Sequence, residues 1–242
     1  MTFYQKKLIH TFGVEEICLE EMFHNLIQRD HFPIVESTTQ NGIITFKILT
    51  KGKSKEEANE KTEEISRLIY SYIGEFIFGE DNDTLPQVIS HSLRAQCRKV
   101  GIFEWGTHGR LSAVLEPDVL AFSHIFGNSD ILEFSLTFGV PTTVPFSQVV
   151  ERNLSKPLLE LCTTESKNQN VDYFLVVGPY LSSSHNHNTR TQLIPTTEII
   201  FIDFRDPDNP VLYRETLKIN GHLVNIDSLF CNHALDILRR RQ

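Results

Sequence analysis

The sequence predicts an α/β protein of two domains. A small N-terminal α+β domain covers 1–76, and a larger α/β sandwich domain, its sheet covered by helices on both faces, covers 77–242. Three observations lead to this class. Apolar runs of strand length interleave with amphipathic stretches of helical period. One stretch, FIFGEDNDT (76–84), ends a short apolar run in glycine and an acidic turn and so reads as a boundary. Hydrophobic residues make up 40% of the 242 positions, enough to build a core in each part.

The elements follow in order. EEICLEEMFHNLIQ (15–28) places Ile17, Met22, Leu26 and Ile27 on roughly one face, which predicts an amphipathic helix. GIITFKILT (42–50) alternates at Ile44, Phe46 and Ile48, as a half-buried strand does. SKEEANEKTEEISRLIYSYIG (54–74) opens with Ser54 and Glu57 in a capping-box pattern and closes on Gly74, a natural helix end. Helix, strand and helix compose the small domain. Thr84 can cap a helix over LPQVISHSLRAQCRKV (85–100), with Pro86 in its tolerated first turn. A strand at 100–104, a helix near 110–122 and helical segments within 145–162 come next. VDYFLVVG (171–178) and TEIIFIDF (197–204) read as buried strands, and VLYRETLKI (211–219) alternates. NIDSLFCNHALDILRRR (225–241) reads as a terminal amphipathic helix, and the sequence carries no internal repeat.

A net charge of −8 argues against general nucleic-acid binding, which depends on Lys and Arg neutralising phosphates. Charges interrupt every apolar stretch well short of the roughly 20 residues that a membrane span needs. The start, MTFYQKKLIHTFG, lacks the apolar core of a signal peptide, so a cytoplasmic location is expected. Cys18, Cys97, Cys162 and Cys231 lie far apart and form no C-x-x-C pair. A zinc knuckle or redox dithiol is therefore not expected, and reduced thiols are. No cofactor is expected.

GIFEWGTHGRLSA (101–113) has the form of an active-site turn. An apolar approach ends in Glu104, a glycine-punctuated turn follows, and then an amphipathic run begins. Hydrolases often put a serine or cysteine at such a strand-to-helix turn, where backbone N–H groups hold an oxyanion. Here Trp105 stands in the turn. Thr107 and His108 offer a nucleophile and a base, but adjacent side chains on a turn diverge, and Thr107 can equally cap a helix starting near Gly109. Glu104 can polarise a ligand or accept backbone N–H bonds. His185 and His187 in SSSHNHN lack a third ligand nearby, so no metal site is expected. DFRDPDNP (203–210) reads as a hairpin connection before a magnesium site, and Arg239–Arg241 as a positive helix end before a phosphate site.

The segments HTFGVEEICLEEMFHNLI and SKEEANEKTEEISRLIYSYIGEFIFGEDNDTLPQVI, with the closing ALDILRRR, resemble the middle and C-terminal parts of CinA, the competence/damage-inducible family; Thr11 to Leu93 is the most specific stretch. The resemblance implies a C-terminal domain of the nicotinamide-nucleotide amidohydrolase type, which converts nicotinamide mononucleotide to nicotinate mononucleotide and ammonia. The family signature A-E-S-x-T-G-G falls on Phe103 to Gly109. Glu104, Thr107 and Gly109 match it, but the proposed nucleophilic serine falls on Trp105 and a glycine on His108. The family's tyrosine falls on Ser129 and its basic lysine on Phe134, in a stretch without lysine between Lys99 and Lys156. Its glycine-rich G-x-A-G-P loop persists as Gly178-Pro179, a remnant ligand-binding position.

An amidase needs an attacking oxygen, a base and oxyanion donors. The resemblance therefore implies a degenerate site and a catalytically inactive binding or assembly protein, with a homodimer as its assembly and a nucleotide as a candidate ligand. Two alternatives stay open. One is an active amidohydrolase rebuilt around Glu104, Thr107, His108 and the Ser182–His187 loop, or using Ser112 or Ser123 as nucleophile. The other is an interaction scaffold for a complete family member.

Overall fold

The computed structural model describes residues 2–14, 32–125, 155–178, 181–182, 195–218 and 225–242. The helix expected at 15–28 and the 145–154 part of the later helical stretch lie outside the described residues. The chain divides into two compact units, Met1–Val88 and Ile89–Gln242.

The first unit is built on four antiparallel strands. They are β1 (Phe3–Phe12), β2 (Ile34–Gln40), β3 (Ile43–Gly52) and β4 (Ile77–Glu80), in the order β2-β3-β1-β4. Asn41 and Gly42, with φ of 51° and 78°, close a tight turn between β2 and β3. Positive φ at both central residues matches the twist of a hairpin, which Asn-Gly adopts readily. On β3 the expected alternation is realised: Ile44, Phe46 and Ile48 are buried. They pack with Ile9 and Val35 and with Ile65, Ile69 and Ile73 of helix α1 (Lys55–Ile73). The capping box forms as well, since Ser54 Oγ accepts from Glu57 N at 3.2 Å and Glu57 Oε2 accepts from Lys53 N at 2.8 Å.

The helix closes on Gly74 as expected; the glycine takes right-handed values, φ −54° and ψ −36°, and the chain tightens into a 3₁₀ turn, Gly74–Phe76. One expectation is corrected here. The stretch read as a boundary supplies β4, which pairs with β1 at Ile9↔Glu80. Asp81 N donates to Leu8 O at 3.0 Å, so the segment closes the first sheet. Helix α2 (Leu85–Ala95) follows, and the division between the units falls inside it.

The second unit contains β5 (Val100–Glu104), α3 (Arg110–Val114), β6 (Leu120–Ile125), α4 (Ser155–Gln169), β7 (Tyr173–Val177), β8 (Leu181–Ser182), β9 (Pro195–Asp203), β10 (Val211–Lys218) and α5 (Ile226–Arg241). Its sheet runs β10-β9-β7-β5-β6, with β8 beside β9. Among the described residues β5 pairs in parallel with β6 and β7, and β9 and β10 are antiparallel additions. The helix expected near 110–122 stops at Val114, because Leu115 is extended (φ −82°, ψ 148°) and Pro117 disfavours a helical Glu116. Residues 120–125 instead form the strand beside β5.

Helices cover both faces of this sheet. Phe103, Phe174, Val176, Ile200 and Ile202 point to the side where Cys162, Leu159 and Leu161 of α4 pack. The alternate positions, including Ile102, Glu104, Leu175 and Val177, face the side of α3 and α5. Among the described residues no helix is long and apolar enough to cross a membrane.

Phe174 is fully buried at the centre of the α4-side cluster and meets Phe204 edge-on at 5.3 Å. Phe174→Ala should destabilise the protein by about 3–5 kcal/mol in urea unfolding. Burial holds His233 on α5 below the ordinary imidazole value of 6.5; Arg240 adds to this, and Glu215 and Asp236 oppose it. The unfolded chain therefore binds a proton at this site before the folded one does. Its contribution should leave stability unchanged above pH 6.5 and erode it as pH falls below 6.5. Urea midpoints at pH 7 and pH 5.5 should differ less in His233→Gln than in the parent.

Candidate functional site

The C-terminal end of β5 carries the turn that the sequence singled out. Strand alternation directs Glu104 toward α3, where it is fully buried. Its carboxylate accepts from four groups. Thr107 Oγ1 donates at 2.5 Å, Leu111 N at 3.1 Å and Ser112 N at 3.0 Å, and Ser112 Oγ donates as well. The convergence depends on His108 (φ 50°) and Gly109 (φ 83°), two successive left-handed residues that double the chain back. Gly109 also lacks room for a side chain, since a Cβ there would lie 2.8 Å from Ile125 Cδ1. Of the two roles the sequence offered Glu104, the geometry displays the second: it satisfies the exposed donors at the start of a helix.

Trp105 is one residue on and therefore faces the other way. Its backbone N donates to Val177 O at 2.9 Å, prolonging the β5–β7 ladder by a residue. Its side chain is 5% exposed and belongs to the α4-side cluster with Phe103, Cys162 and Val176. The indole is thus a core group rather than an occupant of the turn's mouth. Gly106 N donates to Gly178 O at 3.2 Å, Thr197 Oγ1 donates to the same carbonyl at 2.7 Å, and Gly178 N donates to Glu198 O at 2.8 Å. Gly178 therefore ties three strand ends together. Pro179, Ser129, Phe134, His185 and His187 lie outside the described residues.

Thr107 and His108 do diverge. The threonine is buried on Glu104, whereas His108 is exposed with Nδ1 3.5 Å from Asp227 Oδ2 on α5. Ser112 is buried and spent on Glu104. Ser123 is exposed on β6. Sequence reading passed over Arg110, whose Nη1 donates to Ser228 Oγ at 2.8 Å, and Asp227, both of which join the turn to α5 across more than a hundred residues. No local pattern signals such a pairing. Cys231 also lies on this side, and burial pushes its thiol up to about 12, with Glu104 adding to the shift.

The remaining motifs resolve into structure. Asp203 pairs with Arg205 at 2.5 Å, and Asp206 binds Asn209 in the β9–β10 connection. Arg239 and Arg240 both reach back to buried Asp236, at 2.7 and 2.8 Å, and Arg241 lies over the Tyr213 ring. These partners, rather than the helix end alone, hold the arginine run. Among the described residues no group of three or more His, Cys, Asp or Glu is placed to hold a metal ion.

Replacing Glu104 by Gln puts an N–H₂ group among donors and should lower stability by about 3 kcal/mol, read by urea unfolding. Maleimide at pH 8 should label exposed Cys97 and leave Cys162 and Cys231, buried thiols with raised pKa values, unmodified until denaturant is added; peptide mass mapping reads this directly.

Residues 6–79 match the family model described as the damage-inducible protein CinA KH domain. A competence-damage inducible protein of Thermoanaerobacter pseudethanolicus is 24% identical over 246 residues, covering 98% of this chain and 55% of that protein. One from Oceanobacillus iheyensis is 25% identical over 181 residues, covering 72% and 43%. The crystal structure of the competence/damage inducible protein CihA from Agrobacterium tumefaciens is 12% identical, covering 65% of this chain and 94% of that one, at a TM-score of 0.42. The chain spans about half the length of the curated relatives it matches.

Proposed function

We propose that this chain, a relative of the competence/damage-inducible CinA proteins with a CinA KH domain at residues 6–79, is a binding or assembly protein whose amidase-like turn no longer performs amide hydrolysis. One observation carries the reading. At the position where the resemblance puts a nucleophilic serine stands a tryptophan built into the hydrophobic core, and the retained Glu104 has its carboxylate filled by four donors of its own turn.

The chemistry supports the same conclusion. Indole carries no lone pair suited to acyl transfer, and the hydroxyls of Thr107 and Ser112 are buried and already donated to Glu104. His108 faces α5 rather than either hydroxyl. Assembly as a homodimer is what the resemblance implies.

Purified protein should release no ammonia from nicotinamide mononucleotide above background. Trp105→Ser should not gain turnover, because an unassisted serine stays protonated at neutral pH, and should lose stability from the core. Ammonia release on the order of 1 per second that disappears in Ser112→Ala or Ser123→Ala would establish the rebuilt amidohydrolase instead. Light scattering should return a mass near twice 27.8 kDa; the monomer mass at micromolar concentration would remove the homodimer from the proposal.

A further inference from the structure

The first unit carries a cavity that none of this chemistry uses. In the antiparallel register Tyr4 on β1 stands directly opposite Lys51 on β3. Thr50 and Gly52 turn toward the buried side, so Lys51 and Tyr4 share the outer face, and Tyr4 is 61% exposed. The Phe32 ring lies 5.7 Å from the Tyr4 ring, and Lys51 Nζ sits 4.6 Å from the Phe32 centroid. Beside this group opens a cavity of about 350 Å³ lined by Tyr4, Lys51, Gly52, Lys53, Glu57 and Lys61. A smaller one of about 110 Å³ shares Lys51 and Lys61 and reaches Phe32.

The charges here do not cancel. Glu57 is committed: its Oε1 pairs with Lys61 at 2.7 Å and its Oε2 accepts from Lys53 N. Among the described residues the ammonium groups of Lys51 and Lys53 have no carboxylate within ion-pair distance. The lining thus holds three ammonium groups against one carboxylate, in a chain whose net charge is −8. The backbone keeps the two lysines close to the cavity, because Gly52 lies against the start of α1, where a Cβ would meet Ala58 N at 2.6 Å. Glu57 N is already capped by Ser54, so the cationic side chains, not the helix end, supply the positive field.

We propose that this cavity binds a nucleotide, its base stacked on the exposed Tyr4 ring and its phosphate held between Lys51 and Lys53. The volume falls at the small end of the roughly 300–1,000 Å³ typical of small-molecule sites. Aromatic faces take any base, and paired ammonium groups take the phosphate as point charges. The same chemistry would accept a free mononucleotide or one residue of a single strand.

Calorimetric titration of the full chain with adenosine 5′-monophosphate, adenosine, inorganic phosphate and a short oligothymidylate tests the site. The monophosphate should bind, with adenosine and phosphate each much weaker because each fills half of it. Lys51→Gln, Lys53→Gln and Tyr4→Ala should each weaken binding about tenfold, while Lys55→Gln, an exposed lysine outside the cavity lining, should not. Tighter binding of the oligonucleotide, with the same variant pattern, would assign the site to a strand rather than a free nucleotide. Absence of binding by every probe at millimolar concentration, or binding indifferent to the three variants, overturns the proposal; circular dichroism confirms that each variant folds.

Discussion

A carboxylate carried into a protein interior must bring its own solvation, and Glu104 does so with groups drawn from a single turn. That requirement shapes the turn that follows β5. For Leu111 N, Ser112 N and two hydroxyls to reach one side chain, the chain has to reverse within a few residues. It does so through left-handed backbone at His108 and Gly109. The start of α3, the burial of Thr107 and Ser112, and the outward position of His108 follow from that one geometric demand.

The two-residue period of the strand supplies the second constraint. Glu104 and Trp105 are adjacent, so a ladder that continues through Trp105 N sends one toward α3 and α5 and the other into the cluster beneath α4. A residue of this kind stabilises the sheet through its burial and, in the same position, offers no reactive atom. Gly178 links the halves, its carbonyl accepting from both Gly106 and Thr197. Among the described residues, the strand ends on this side of the sheet are joined by their own hydrogen bonds.

The first unit divides its labour differently. Its apolar side is closed by Ile65, Ile69 and Ile73 of α1 against β3, while the outer end of β1 and β3 keeps lysines and aromatic rings in the open. Order on one side of the sheet and accessible charge on the other come from the same alternation.

The sequence by itself determined the mixed α/β class, the extents of α1, β5 and α5 to within a residue or so, the buried character of β7, and the candidate turn at 101–113. These are legible because capping residues, short apolar runs and alternation are local signals. It did not determine β1, whose Lys6, Lys7 and His10 obscure the apolar face until β3 and β4 pair on either side. Nor did it determine β6, where LAFSHI suits helix or strand until β5 offers a parallel edge. Trp105 and Glu104 could be named from sequence, but not the faces they take. Only the tertiary structure decided those, because a side chain's role depends on which distant segments (α4 for the indole, the α3 turn and α5 for the carboxylate) arrive to cover each side of the strand.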